Sequence, residues 1–308
     1  MDSTENLTAL LAMAQPGLYD DPFRSAHYLE MLWPHAVSRV TLQKALRKAL
    51  QPREGVYIGI AFGAAAWQRF QPSFTPVQLQ PFPRLEGKNG YAMPSTQSDI
   101  WFWIHGNDQG DVMDAVLQVH AAVRDVLIAQ LDLNGFKNRE ERDLTGFVDG
   151  TANPKELQRV AAAQIPLGEA GAGGSYVLTQ KWSHHLHSFN KLSEREQEQV
   201  IGRTKHDNIE LEGDAMPPTS HVSRTDVKVD GVGQKIWRRS TPYGNAEDHG
   251  LYFIAFACNL NRIRIQLDRM LGNTDDGYSD HLMRYSTAET GAYWFMPAEA
   301  DLEAILTR

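Results

Sequence analysis

The sequence is poor in cysteine. Cys258 is the single cysteine among 308 residues, which excludes an intramolecular disulfide and any four-cysteine metal or iron–sulfur site. It ends an apolar run that begins at Leu251. A cysteine in such a run is typically a buried structural residue, so we do not expect a nucleophile there.

Long hydrophobic runs and export signals are also missing. No apolar stretch reaches the roughly 20 residues that a membrane-spanning helix needs. Residues 1–6 are acidic and carry no basic segment or twin arginine. These absences predict a cytoplasmic protein without a membrane partner.

Basic residues are fewer than acidic residues. The chain has 30 basic and 38 acidic residues, a formal net charge of -8, and no basic stripe. A nucleic-acid partner is therefore not expected. Hydrophobic residues make up 42% of the chain, enough for a sizeable core in one large domain or two ordinary ones.

Several common site motifs are absent. The glycines between 168 and 174 do not spell G-x-G-x-x-G and precede a predicted strand, so they indicate a flexible loop. Residues 275–277 lack the rest of a calcium loop, and no G-x-S-x-G elbow is present. His184, His185 and His187 have no cysteine or acidic partner at a zinc-motif spacing, so we predict an exposed turn.

Hydrophobic periodicity predicts an α+β protein. In the first half we expect helices at 7–13, 38–50 and 111–131, strands at 56–62 and 98–106, and a proline-rich loop at 71–97, while 28–33 is open between strand and helix. In the second half we expect helices at 155–163, from Ser193 with a capping box to Glu196, and at 259–271, strands at 175–182, 250–258 and 293–296, and a long loop at 202–226. The strand at 98–106 is apolar on both faces and should be covered on both. Two halves of similar order suggest a duplicated α+β unit.

Three segments carry the candidate chemistry, and each is weak alone. Asp149 lies in Gly-Phe-Val-Asp-Gly (residues 146–150), which on local chemistry is most simply a surface turn. His221 follows Ser220 in a Ser/Thr-rich loop, but it is one of 11 histidines. Arg238 precedes a Pro-Tyr-Gly turn by four residues, and alone it indicates no more than an ion pair. The spacing by itself selects no function.

Together the three segments resemble the dye-decolourising peroxidases, and among them the B-type bacterial enzymes. The family's G-x-x-D-G motif matches residues 146–150, its haem-ligating histidine matches His221, and its distal arginine matches Arg238. Ser240, two residues further, matches a polar distal position that is Ser or Asn in the family. The resemblance covers about residues 55–300 and includes further stretches at 141–144, 173–177, 201–205, 249–253 and 291–295.

The resemblance implies a fold and a cofactor. The expected fold is two tandem ferredoxin-like α+β domains with antiparallel sheets, divided as residues 1–145 and 146–308. The cofactor would be haem b, held mainly in the C-terminal half, and the enzyme would reduce hydrogen peroxide and oxidise dyes, phenols or similar one-electron donors through a ferryl intermediate. Oligomers, dimers or tetramers, are plausible for this architecture.

The resemblance also implies a role for each site residue. His221 would be the axial ligand, with Asp280 accepting a hydrogen bond from its other nitrogen. On the opposite face Asp149 would take and return the peroxide proton, Arg238 would place positive charge beside it, and Ser240 would position a water. The remaining cofactor contacts would be Leu251 and Phe253 on the distal side and Asn153, Arg203 and Lys205 at the propionates.

Two alternatives stay open from sequence. One is a haem-binding or iron-release protein of the same fold, which would not need the Asp149–Arg238 pair. The other is a haem-free α+β protein that assembles through its aromatic strands and has no role for His221.

Overall fold

The computed structural model describes residues 3–20 and 23–307. The first half contains helices α1 Ser3–Met13, α2 Arg39–Ala49, α3 Ala64–Arg69 and α4 Gln109–Val123, and strands β1 Ser25–Leu32, β2 Val56–Phe62, β3 Leu85–Glu86, β4 Ala92–Met93, β5 Ile100–Gly106 and β6 Ile128–Phe136. Short 3₁₀ turns lie at Lys88–Gly90 and Arg139–Glu141.

The second half contains more helices and strands than the first, in a similar arrangement. Its helices are α5 Leu157–Ala163, α6 Leu186–Phe189, α7 Glu194–Ile201, α8 His221–Thr225, α9 Leu260–Leu271 and α10 Glu299–Thr307. Its strands are β7 Ser175–His184, β8 Lys228–Val229, β9 Val232–Gly233, β10 Trp237–Arg238, β11 Thr241–Gly244, β12 His249–Ala257, β13 Ser286–Ala288 and β14 Ala292–Met296. Two 3₁₀ turns lie at Gly213–Ala215 and His281–Arg284.

The long strands form two four-stranded antiparallel sheets of the same order. The first sheet runs β2-β5-β1-β6 and the second β14-β7-β12-β11. If the long strands of each half are numbered 1 to 4 in chain order, strands 1 and 3 lie at the centre of each sheet. This is the strand order of a ferredoxin-like fold, and it confirms the predicted α+β fold. Single residue pairs, Gly135 with Tyr243 and Phe62 with Phe295, join the two sheets at both edges into a closed ring of strands.

Strand β5 shows why the core has two parts. Every residue of β5 is buried. On one face, Phe102 and Ile104 belong to the hydrophobic cluster that includes residues of α2 and α4. On the other face, Trp101 and Trp103 pack inside the ring of strands. The prediction that this strand is covered on both faces is confirmed.

The helix predicted at 111–131 is too long. Helix α4 ends at Val123, and β6 begins at Ile128. Val126 and Leu127 continue the helical spacing, but the chain turns there and the following residues pair with β1 along its whole length. The hydrophobic periodicity of a short stretch of sequence cannot show a pairing partner about 100 residues away. Here the strand pairing overrides the local helical pattern.

Other boundaries hold or shift in ways that matter for the site. The strand at 56–62 and the capping box from Ser193 to Glu196 are confirmed, and 28–33 lies largely in strand β1. The loop predicted at 202–226 is wrong at its end, because residues 221–225 form helix α8. The loop at 71–97 contains the short pair β3–β4.

None of the described helices is both long and apolar enough to cross a membrane.

The acid Glu30 lies inside the strand ring and should make stability depend on pH. Glu30 is 2% exposed, and burial raises its pKa to about 7. A carboxyl group whose pKa is higher folded than unfolded favours folding below its unfolded pKa, and this contribution is lost as the pH rises through 7. The shift corresponds to about 3 kcal/mol between the two limits.

Glu30→Gln is therefore expected to flatten the fall in stability between pH 5 and pH 8. The urea midpoint of unfolding, measured across this range for parent and variant, checks this. Glu54→Gln removes an exposed carboxyl group and should leave the slope unchanged. Equal slopes in the parent and in Glu30→Gln would contradict the prediction.

Candidate functional site

A cavity of about 360 Å³ lies in the second half of the chain. One wall is the face of the second sheet, where Leu178 and Trp182 of β7 lie beside Leu251 and Phe253 of β12. The facing wall is α9, and its contributing residues are Ile263, Gln266, Leu267 and Met270. These walls are largely apolar, which suits a flat organic ligand more than a hydrated ion.

His221 enters the cavity from the first position of α8. Ser220 caps this helix by accepting a hydrogen bond from the Ser223 amide at 3.2 Å. His221 Nδ1 lies 2.6 Å from Asp280 Oδ2, and Asp280 is fully buried. A carboxylate at this distance makes Nδ1 the protonated nitrogen. The other nitrogen, Nε2, has no hydrogen-bond partner in the described chain and is left for a ligand.

Asp280 is held as firmly as the histidine. Its Oδ1 accepts a hydrogen bond from the Leu282 amide at 2.8 Å, and its own amide donates to the Met270 carbonyl at 2.9 Å. The sequence placed Asp280 beside His221 only through resemblance, 59 residues away in the chain. The structure brings the two together.

Helix α8 is anchored by a buried arginine next to the ligand residue. Arg224 is 1% exposed and donates to both carboxylate oxygens of Asp276, at 2.7 and 3.1 Å. This guanidinium holds the pKa of Asp276 well below its usual range. Arg224 also donates to the Arg269 carbonyl, and Arg269 donates back to the Ser223 carbonyl. The reciprocal bonds fix α8 to α9 and so fix the direction of His221.

Asp149 reaches the same cavity from a glycine-bounded turn. Gly146 and Gly150 adopt φ of +92° and +80°, which side chains rarely allow. The Asp149 amide donates to the Glu141 carbonyl at 2.9 Å, and its Oδ1 accepts from the Gly150 amide at 2.7 Å. The turn interpretation is thus correct, and the turn also points its acid into the cavity.

Arg238 lies opposite this acid. Its Nη1 is 4.0 Å from Asp149 Oδ1, and its side chain is 19% exposed. The Asn153 side chain donates to the Arg238 carbonyl at 2.9 Å and accepts from the Arg238 amide at 3.0 Å. Asn153 is therefore used on the Arg238 backbone and does not line the cavity. The propionate contact that the resemblance implied for Asn153 stays a prediction.

The other predicted residues divide between the cavity and its surroundings. Leu251, Phe253 and Arg203 line it. Ser240 does not, because it is buried with its hydroxyl accepting from the Ile254 amide at 3.2 Å. Lys205 is also outside, with Nζ 2.6 Å from Gln197 Oε1. Arg203 is paired with Glu210 at 2.5 Å.

Sequence reasoning missed several polar residues of the cavity, among them Asp143, Gln180 and His184. The expectation that His184 lies in an exposed turn is wrong, since it is 8% exposed at the end of β7. The signal was available, because residues 178, 180, 182 and 184 alternate along one strand and so share one face. His185 and His187 lie beyond the strand.

These polar groups are only partly satisfied. The side-chain amide of Gln180 and Nε2 of His184 have no hydrogen-bond partner in the described residues. His184 Nε2 lies 3.8 Å from Asp143 Oδ2, and its Nδ1 lies 2.8 Å from Ser286 Oγ. Burial and the neighbouring Asp149 raise the pKa of Asp143 to about 6, while burial, with His249 and His185 nearby, lowers the pKa of His184 to about 4. Buried polar atoms without partners indicate that the cavity receives a ligand or water.

Comparison with known proteins gives a consistent result across the chain. The family description "Dyp-type peroxidase, N-terminal" matches residues 32–137, and "Dyp-type peroxidase, C-terminal" matches residues 140–301. A dye-decolorizing peroxidase of Mycobacterium tuberculosis is 33% identical over 250 residues, covering 80% of this chain and 74% of that protein. One of Rhodococcus erythropolis is 32% identical, covering 80% and 73%.

Solved structures extend the likeness to nearly the whole fold. A putative Dyp-type peroxidase from Shewanella oneidensis has a TM-score of 0.90 at 29% identity, covering 95% of this chain and 98% of that one. DypB of Rhodococcus jostii RHA1, in a variant complexed with heme, has a TM-score of 0.88 at 30% identity, covering 96% and 99%.

Proposed function

The chain belongs to the Dyp-type peroxidase family, and on this premise we propose that it reduces hydrogen peroxide at a haem b bound in the cavity, with His221 as the iron ligand. The oxidising equivalents would pass one at a time to dyes, phenols or similar reductants. One observation carries the proposal: an imidazole–carboxylate couple, His221 with Asp280, and a carboxylate–guanidinium couple, Asp149 with Arg238, open onto one cavity.

The residues around the cavity suit a haem. The walls are apolar, an imidazole nitrogen without a hydrogen bond enters from α8, and the partnerless Gln180 amide lies in the sheet wall. Bound haem supplies the redox-active iron at which peroxide reacts. Arg203, which lines the cavity, is the basic residue best placed for a propionate, while Asn153 and Lys205 would act from outside the lining.

Asp149 is the proposed proton carrier. A base on the peroxide side has to take a proton from one oxygen and return it to the departing one, and a carboxylate on a fixed turn can do both. Arg238 adds permanent positive charge where negative charge develops, without having to reorient. Asn153 would serve this step by fixing the Arg238 backbone. Ser240 would act through a water, because it lies outside the cavity lining; its hydroxyl accepts from the Ile254 amide, which leaves the O–H to donate to that water.

Asp280 is the proposed electronic partner of the ligand. A carboxylate that accepts the Nδ1 proton of a ligating histidine fixes its tautomer and raises its donor strength, and loss of such partners typically costs 10–100-fold in metal affinity or activity. Asp280→Asn is therefore expected to lower peroxide reactivity by about 10–100-fold with haem still bound.

Two readouts check the Asp280 prediction. The first is the rate constant with peroxide, and the second is the iron–histidine stretching frequency in resonance Raman spectra, which should fall when the ligand becomes a weaker donor. Asp226→Asn removes a cavity-lining carboxylate that pairs with Lys235 and should change neither. An unchanged stretching frequency in Asp280→Asn would refute the role.

A donor-oxidation assay separates the proposed enzyme from a haem carrier of the same fold. Haem-loaded protein should oxidise a dye or phenol over many turnovers, and only with peroxide present. Stable haem binding without turnover would favour the carrier. We further propose that residues 1–145 and 146–308 are the two domains and that the protein acts in the cytoplasm as a homo-oligomer.

A further inference from the structure

The interior of the strand ring contains a buried acid–phenol pair that peroxide activation does not use. The Tyr252 hydroxyl donates to Glu30 Oε1 at 2.7 Å, and both residues are at most 2% exposed. Thr179 Oγ1 donates to the same oxygen at 3.2 Å and accepts from Trp294 Nε1 at 2.8 Å. An acid placed this deep is costly, and both of these hydrogen bonds end on one of its oxygens, so its position calls for an explanation.

A second phenol stacks on the first. The rings of Tyr28 and Tyr252 are 4.1 Å apart between centroids and 20° from parallel. The Tyr28 hydroxyl is bonded to Thr241 Oγ1 at 2.7 Å, so only Tyr252 faces a carboxyl group. Stacked rings share the electron deficiency that oxidation of either would create.

The pair lies directly behind the sheet wall of the cavity. Tyr252 stands between Leu251 and Phe253 on β12, and both of these line the cavity. Thr179 likewise stands between the cavity residues Leu178 and Gln180 on the adjacent strand β7. Since successive side chains point to opposite faces of a sheet, Tyr252 and Thr179 are one sheet thickness from the cavity.

The hydrogen bond is what makes Tyr252 oxidisable. Burial, with Glu30 close by, raises the pKa of Tyr252 well above its usual range, so the phenol keeps its proton. A protonated phenol loses an electron readily only if its proton leaves at the same time. Glu30 Oε1 can accept this proton when the carboxyl group is ionised, which its pKa of about 7 allows from neutral pH upward. The proton then moves within one hydrogen bond and neutralises the carboxylate, so no new charge is buried.

Resting on the proposed peroxidase function, we propose that Tyr252 and Glu30 form a proton-coupled redox site that accepts an oxidising equivalent from the cavity when no external donor is bound. Tyr252 gives one electron to the peroxide-oxidised cofactor, which is reduced by one electron. The phenol O–H bond breaks, an O–H bond forms on Glu30, and a neutral tyrosyl radical remains. When a reductant later supplies an electron, Glu30 returns the proton.

Electron paramagnetic resonance tests this directly. Haem-loaded protein is mixed with one equivalent of hydrogen peroxide without donor and frozen rapidly. We expect a tyrosyl signal that narrows when the protein contains ring-deuterated tyrosine. Tyr252→Phe keeps the ring and should lose most of this signal. Glu30→Gln should also diminish it, because an amide oxygen is a poor proton acceptor.

Tyr28→Phe is the matched control, since it removes the stacked phenol that has no carboxyl partner and should keep the signal. A second readout is the loss of haem absorbance under repeated donor-free peroxide, which should be faster in Tyr252→Phe than in the parent. If Tyr252→Phe does not fold, the comparison of Glu30→Gln with Tyr28→Phe still decides.

Three results would overturn the inference: an undiminished signal in Tyr252→Phe, equal signals in the parent and Glu30→Gln, or no tyrosyl signal in a parent whose absorption responds to peroxide. The last result leaves the peroxidase function intact. A parent whose absorption does not respond to peroxide would instead contradict the proposed function, and this inference with it.

Discussion

Arg238→Leu is expected to lower the rate constant for the reaction of the haem-loaded protein with hydrogen peroxide by about 10²–10³-fold, the usual cost of removing a preorganised charge donor. Arg238 Nη1 lies 4.0 Å from Asp149 Oδ1 at the cavity, and the substitution removes this fixed positive charge. Haem should stay bound, because the His221–Asp280 couple lies on a different element. Stopped-flow absorption with excess peroxide measures the rate constant.

Lys235→Met is the matched control for that experiment. Lys235 also lines the cavity three residues earlier, but it pairs with Asp226 and not with Asp149. We expect it to react at close to the parental rate. A parental rate in Arg238→Leu would remove Arg238 from the chemistry. The same measurement on Asp149→Asn separates the contributions of the two residues. A small effect would mean that the Arg238 guanidinium alone is sufficient for the reaction with peroxide.

His221→Ala is expected to weaken haemin binding by more than the about 10–100-fold that loss of a ligand's partner costs, because the ligand itself is removed. The substitution leaves Asp280 buried without its imidazole partner and opens space at the start of α8. Added imidazole should restore much of the histidine-type spectrum, since it can occupy that space. A haemin titration followed by absorption gives the affinity.

The control for the ligand assignment is His281→Ala. His281 is next to Asp280 in the chain, and its Nδ1 lies 3.2 Å from Thr219 Oγ1, outside the cavity lining. It should bind haemin as the parent does. Equal affinity in His221→Ala and the parent, with an unchanged spectrum, would show that another residue holds the iron.

Local patterns predicted elements whose partners are near in sequence. The strand at 56–62 and the capping box at Ser193 depend on a few consecutive residues, and both are observed. Strand β6 could not be found in this way, because its stability comes from pairing with β1 about 100 residues earlier. The short helix α8 is similar, since it is held by Arg224 bonds to Asp276 and to α9.

The residues of the candidate site could likewise be predicted from the sequence only in part. Asp149, His221 and Arg238 stand out only as an ordered set, and their meeting at one cavity depends on the fold of the whole second half. His184 was predicted in an exposed turn because no partner lies at a zinc-motif spacing, whereas strand alternation from Leu178 places it inside. For Ser240, the position in the motif does not give the direction of the side chain, so its role through a water stays a prediction.

The most direct test of the proposed peroxidase function is the absorption spectrum of the haem-reconstituted protein before and after one equivalent of hydrogen peroxide, without and then with a dye donor. We expect a histidine-ligated ferric spectrum that changes within the mixing time of a stopped-flow instrument and returns as the dye is oxidised. A haem spectrum that peroxide leaves unchanged would contradict it and would leave a haem-binding protein with this fold.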